Sequence, residues 1–287
     1  MQLSNLALLA GVLGAAAHPS GHAHLHRSKR EAPAFVKAVH SKPLIPATTQ
    51  PAASAATSAV SAASASVESS ESDDYIPFCG SSSKEKRVTY DQVMYTGNLG
   101  TDNGCPWNSN LMVVPNKIAK KYKYVQEYIN VASEPYQVIC ANKMGADRGL
   151  TGMFKVEGQK QLIFILQPGE TKTVVADENT QGVCAFAPHE VPLTPHGQYA
   201  GVWAEFDFGN TSNKAWSGAD CSALVAMHYD MDVPGCQMSE GGVDSTILPG
   251  GIGTNAYVKG MEELDGIGLN IITGANTITV SVGFGAK

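Results

Sequence analysis

YAGVWAEFDFGNTSNKAWSGADCSALVAMHYDMDV, residues 199–233, carries two runs with the two-residue period of a half-buried β-strand. In the first, Ala204, Phe206 and Phe208 alternate with Trp203, Glu205 and Asp207. In the second, Ala223, Val225, Met227, Tyr229, Met231 and Val233 alternate with Ser222, Leu224, Ala226, His228, Asp230 and Asp232. Each expected strand sets its carboxylates opposite its apolar face. Between them lie the chain's one N-glycosylation acceptor, Asn210-Thr211-Ser212, and an expected turn over Trp216, Ser217 and Gly218.

Working outward, strand patterns recur at 110–114, 122–132, 136–143, 152–156, 161–167, 171–177, 182–187 and 277–284. The run Leu162 to Leu166 is apolar at every position, which predicts a strand buried on both faces. Pro168-Gly169-Glu170 predicts a tight turn into the next strand. A single turn near Asn116 to Lys120 is the one helical signal before residue 238. About ten short strands separated by turns predict an all-β, disulfide-stabilised β-sandwich over 88–287. Residues 238–276 are Gly-rich and weakly patterned, and read as a long loop with at most one helical turn near Met261 to Glu263.

The N-terminal part is of another kind. An apolar run from Leu6 to Leu13 followed by Ala15 to Ala17 predicts a signal peptide over 1–17, too short to span a bilayer. Residues 18–87 read as a pro-segment and a disordered Ser/Ala/Thr-rich stalk, which has too little to bury to offset its ordering entropy. Two dibasic pairs, Lys29-Arg30 and Lys86-Arg87, are candidate processing sites, and the first would discard the nearby His18, His22, His24 and His26.

Cys79, Cys105, Cys140, Cys184, Cys221 and Cys236 are six, an even number, and none sits at the short spacing of a structural zinc site. In a secreted chain they predict up to three disulfides. Proximity along the chain favours Cys221–Cys236 and Cys79–Cys105, which leaves Cys140–Cys184.

Residues 88–287 hold 12 Lys and Arg against 20 Asp and Glu, a net charge of −8, which disfavours nucleic acid as a partner. Lys117, Lys120, Lys121 and Lys123 cluster, and read as a solvated strand entry. No cofactor fingerprint, catalytic triad signature or second apolar span is present, so no cofactor, metal or membrane partner is expected.

Glu205 and Asp220 are the candidate acid–base pair, because glycoside hydrolysis needs two carboxyls across the scissile bond. His228, Asp230 and Asp232 share an expected strand face, but alternate residues lie about 7 Å apart and rarely converge on one ion, so that face reads as solvated. Trp107, Trp203 and Trp216 are candidate carbohydrate platforms, since aromatic faces stack on sugars.

The segments YTGNLGTDNG, NSNLMVV, KYKYVQEYINVASEPYQVICANKMGADRGLTG, LQPGETKTVVADENTQG and YAGVWAEFDFGN…AWSGADCSAL resemble the fungal secreted allergen family Asp f four over roughly 88–235. That resemblance implies an extracellular fungal protein without an established activity, and host antibodies as partners. A more distant one, carried by the order YQVICANK, PGE, GVCAFA, AEF and ADCSAL, is to the thaumatin-like sandwich with its acidic, β-glucan-linked cleft. Carried over, Glu205 and Asp220 match cleft carboxylates, whereas Phe186 and Val225 stand where an Arg and an Asp would be. The resulting expectation is a secreted or wall-associated protein that binds cell-wall polysaccharide such as β-glucan without catalysis. The alternatives are a weak β-glucan hydrolase and a secreted host-interaction protein.

Overall fold

The structure, a computed structural model, describes residues 74–79, 97–101 and 104–286. The signal peptide, both dibasic pairs and the stalk up to residue 73 lie outside the described residues, whereas 74–79, within the expected stalk, are described and Phe78 is buried. Two sheets face each other. The strands are β1 (Leu111–Val114), β2 (Tyr124–Asn130), β3 (Tyr136–Asn142), β4 (Leu162–Leu166), β5 (Thr171–Ala176), β6 (Thr180–Pro188) and β7 (Val202–Asn210). They continue with β8 (Trp216–Ser222), β9 (Cys236–Glu240), β10 (Val243–Leu248), β11 (Ile252–Thr254), β12 (Leu269–Ile271) and β13 (Asn276–Val282). One sheet runs β1-β5-β2-β13-β9-β10-β11 and the other β12-β8-β7-β6-β3-β4. Neighbours are antiparallel except β13 with β2. This is an all-β, two-sheet architecture.

The core between the sheets is built by alternation. Tyr124 and Tyr128 from β2, Ile278 and Val280 from β13, and Phe186, Phe206 and Phe208 from the facing sheet meet there with Met238. The expected split of β7 therefore holds: Ala204, Phe206 and Phe208 face this core. Yet Trp203, Glu205 and Asp207 on the other face are buried too.

Three disulfides close Cys79–Cys105 and Cys221–Cys236, the pairs that proximity along the chain favours, and Cys140–Cys184, the pair that remained. Cys140 and Cys184 are direct cross-strand partners of β3 and β6. Cys221 on β8 and Cys236 on β9 belong to different sheets, so their bond ties the sandwich across its core.

Five expectations are corrected. Beyond Ser222 the second alternating run is not a strand: Leu224–His228 form a short helix, α1. Leu224, Val225 and Ala226 are all buried because this helix is wedged between the sandwich core and a second apolar cluster, so tertiary packing overrides the two-residue pattern. Trp216 to Gly218 are the first residues of β8, and the corner lies at 211–215.

Residues 152–156 contribute one isolated bridge, Phe154 to Gln198. The run Leu162 to Leu166 is not buried on both faces: β4 is an edge strand, so Ile163 and Ile165 remain 52% and 37% exposed. Residues 238–276 are not one long loop. Their glycines make turns between β9, β10, β11 and β12, with Gly241 and Gly242 both at positive φ in the β9–β10 turn.

Candidate functional site

The outer face of the six-stranded sheet holds a buried ionic cluster. Antiparallel pairing of β7 with β8 puts Glu205 directly opposite Asp220, as the sequence reading needs for its acid–base pair. Lys143, just past β3, reaches Glu205 with Nζ 2.8 Å from Oε2. Its backbone is held on both sides, its N–H donating to Gln181 O and its carbonyl accepting from Gly152 N. Asp207 follows two residues along β7. Glu205, Asp220, Lys143 and Asp207 are 1%, 0%, 5% and 4% exposed.

The segment 255–268 forms the lid of this cluster. Tyr257 donates its N–H to Cys221 O and accepts from Ala223 N, lying beside β8 next to Asp220. Gly268 packs so closely that a Cβ there would stand 2.7 Å from the Asp220 Cβ. Asn255 fastens the segment by donating to Gly268 O and accepting from Gly268 N.

The charges shape one another. Burial disfavours the Lys143 ammonium, but Glu205, Asp220 and Asp207 together outweigh that and raise its pKa above the ordinary lysine value. Burial pushes the Asp207 carboxyl up to about 7, against the opposing hydrogen bond from Asn210 and the charge of Lys143. The Tyr257 phenol is raised first by burial and then by the Asp220 charge. A lysine ringed by three carboxylates is a closed ionic core. In this state neither Glu205 nor Asp220 presents an oxygen to a glycosidic bond.

Asn210 is buried as well. Its amide Nδ2–H donates to Asp207 Oδ2, while its Oδ1 accepts from the Ser212 amide and hydroxyl. A glycan on that nitrogen would displace the bond to Asp207 and need room that a 1% exposed side chain lacks. The acceptor motif therefore serves here as the cap of the 211–213 turn, a correction to the glycosylation expectation.

The tryptophans divide. Trp203 is 2% exposed with Nε1–H bound to Tyr199 O, so no ring face is open to a sugar and that candidacy is corrected. Trp107 is half-buried, donates to Met144 O and packs on the same outer apolar cluster. Trp216 is half-buried at the start of β8, opposite Asn210.

His228, Asp230 and Asp232 do not share a strand face, because α1 and the following turn separate them; Asp230 lies 3.4 Å from Lys259 Nζ. His189 has Nε2 3.2 Å from Glu134 Oε2. Among the described residues no three His, Cys, Asp or Glu side chains group in a way that could hold a metal ion. Also among them, no helix is long and apolar enough to cross a membrane.

Phe186 points into the core between the sheets, on the face of its sheet opposite Glu205, and Val225 sits on α1 in the outer apolar cluster. The cation that pairs with Glu205 is Lys143, which sequence reasoning missed. Its signal was there: one charged residue ending the otherwise uncharged run YQVICAN.

The family model described as the Allergen Asp f 4-like domain matches residues 109–282. Allergen Asp f 4 of Aspergillus fumigatus is 35% identical over 196 residues, 67% of this chain. The chain spans 59% of that relative's length. Among solved structures, the protein elicitor MoHrip2 from Magnaporthe oryzae aligns over 56% of this chain and 98% of its own, at 11% identity and a TM-score of 0.36. A likeness that slight bears on neither fold nor function.

Proposed function

Because the chain belongs to the Asp f 4-like allergen family, we propose that it is an extracellular, non-catalytic antigen-type protein that binds neutral cell-wall polysaccharide. One observation carries the choice of binding over hydrolysis. Among the described residues the one cross-strand carboxylate pair suited to glycan chemistry, Glu205 and Asp220, is sealed under 255–268 and neutralised by Lys143. Glycoside cleavage requires an acid and a second carboxylate on either side of a bound sugar, with water admitted. The three disulfides support an oxidising, extracellular setting. Family membership supports host antibodies as further partners.

The test joins two measurements on the purified protein. Retention on insoluble β-glucan or chitin is expected, with no sugar released from soluble β-glucan. Failure to bind either solid would end the binding reading. Release of sugar that Glu205→Gln abolishes would replace it with hydrolysis.

A further inference from the structure

Among the described residues, the outer face of the seven-stranded sheet is covered at one end only. Ile118, Ala119, Tyr122 and Phe78 pack over Val125 and Val175, and Thr173 is buried where its hydroxyl donates to Asn116 Oδ1. Past β2 the cover formed by described residues stops. Cross-strand register then aligns Glu127, Thr279, Ser239 and Asp244 in one row, from β2 through β13 and β9 to β10. A second row aligns Ser281, Gln237 and Thr246.

The inward partners on these strands, Tyr128, Val280, Met238 and Ile247, fill the core, so both rows face outward. None of the seven is buried.

The geometry points to this face as the surface that receives the polysaccharide, and to an uncharged, ribbon-like glycan as its occupant. The inference rests on the binding reading above and places it away from the tryptophans and the acidic cluster. Strands about 4.8 Å apart, with outward residues about 6.8 Å apart along each, set hydroxyl, amide and carboxylate groups on a regular lattice. Such a lattice matches the closely repeating hydroxyls of a sugar chain, as donor to acceptor.

Part of it is already held in place. Ser239 Oγ donates to Asp244 Oδ1 at 2.6 Å, and Gln237 Nε2 donates to Asp244 Oδ2 at 3.3 Å. Groups fixed before binding lose less entropy on binding. Glu127 and Asp244 flank the first row, and neither row contains a cation. That charge repels uronate or sulfate polymers and leaves neutral glycans as the fitting class.

The test uses the full chain in pull-downs on insoluble β-glucan, on chitin and on polygalacturonate-coated beads. Thr279→Arg and Gln237→Arg each raise a long charged side chain from this face. Val156→Arg adds the same charge at an exposed turn beside the other sheet. Wild type and Val156→Arg are expected on a neutral polymer, and both face variants at roughly tenfold weaker retention or less, a change of about 1.4 kcal/mol.

Thr279→Val removes only the hydroxyl, retains the strand preference of a β-branched residue, and is expected to weaken retention partly. Melting curves that match wild type establish that the variants fold. Face variants retained as well as wild type would overturn the assignment of this face. Preference of wild type for polygalacturonate would overturn the ligand class. Wild type bound to no polymer would overturn the polysaccharide reading itself, a result distinct from both.

Discussion

Asp207 is the residue whose environment departs furthest from what its place in the sequence suggests. It lies on the alternating polar face of β7, yet it is buried against Asn210 with Lys143 near, and its carboxyl titrates at about 7. Its folded pKa is above the ordinary aspartate value of 3.8, so the folded state holds its proton more tightly than the unfolded chain does. Its contribution to stability is fully present below about pH 4, is lost as pH rises through about 7, and stays lost above.

Each unit of pKa difference corresponds to about 1.4 kcal/mol. Asp207→Asn is therefore expected to melt higher than wild type at pH 8, with the difference vanishing near pH 4. Melting temperatures of both proteins across that range check it. Lys143 gives the opposite expectation. Lys143→Met strands Glu205 and its neighbours without a cation, a loss of about 3–5 kcal/mol for a broken buried pair. Denaturant unfolding at pH 7 measures the loss. Adding Glu205→Leu to it should recover part of the stability, because the remaining pair of side chains is then apolar.

Among the elements, the 255–268 segment and α1 decide what the acidic pair can do. The segment lies on β8 through Tyr257 and Gly268, and α1 closes the adjoining apolar cluster with Val225 against Trp203. Gly268 has φ +107°, and a Cβ there would meet Ala219 O at 2.5 Å as well as Asp220. Gly268→Ala is expected to lift the segment at a cost above 1 kcal/mol, from a strained backbone and a steric clash together. Hydrogen exchange should then quicken at the Tyr257 amide, which donates to Cys221 O, while amides of β2 and β13 remain protected. Uniform exchange throughout the molecule would contradict a local cover.

For the molecule as a whole, the Cys221–Cys236 bond is the covalent link between the two sheets. It closes a loop with a sequence separation of 15, and a loop of that size is worth about 3 kcal/mol of unfolded-state restriction. Replacing both cysteines by alanine should lower stability by that order, read as a shift in the denaturant midpoint.

The sequence by itself determined the all-β class, most of the strands and the two faces of β7, and proximity favoured two of the three disulfides. These follow from local alternation, turn chemistry and chain proximity, which act over a few residues or between neighbours in the chain. It also singled out Glu205 and Asp220 as a carboxylate pair, but their placement directly opposite each other on β7 and β8 came from the structure.

Only the tertiary structure decided that this pair is closed. Lys143, Tyr257 and Gly268 reach it from distant parts of the chain, and period-two alternation reads the same whether the polar face meets water or another layer of protein. The same limit hid α1 behind a strand pattern, left Ile163 and Ile165 open on an edge strand, and made Asn210 a buried cap. In each case the neighbour that decides the outcome is set by sheet order and not by spacing.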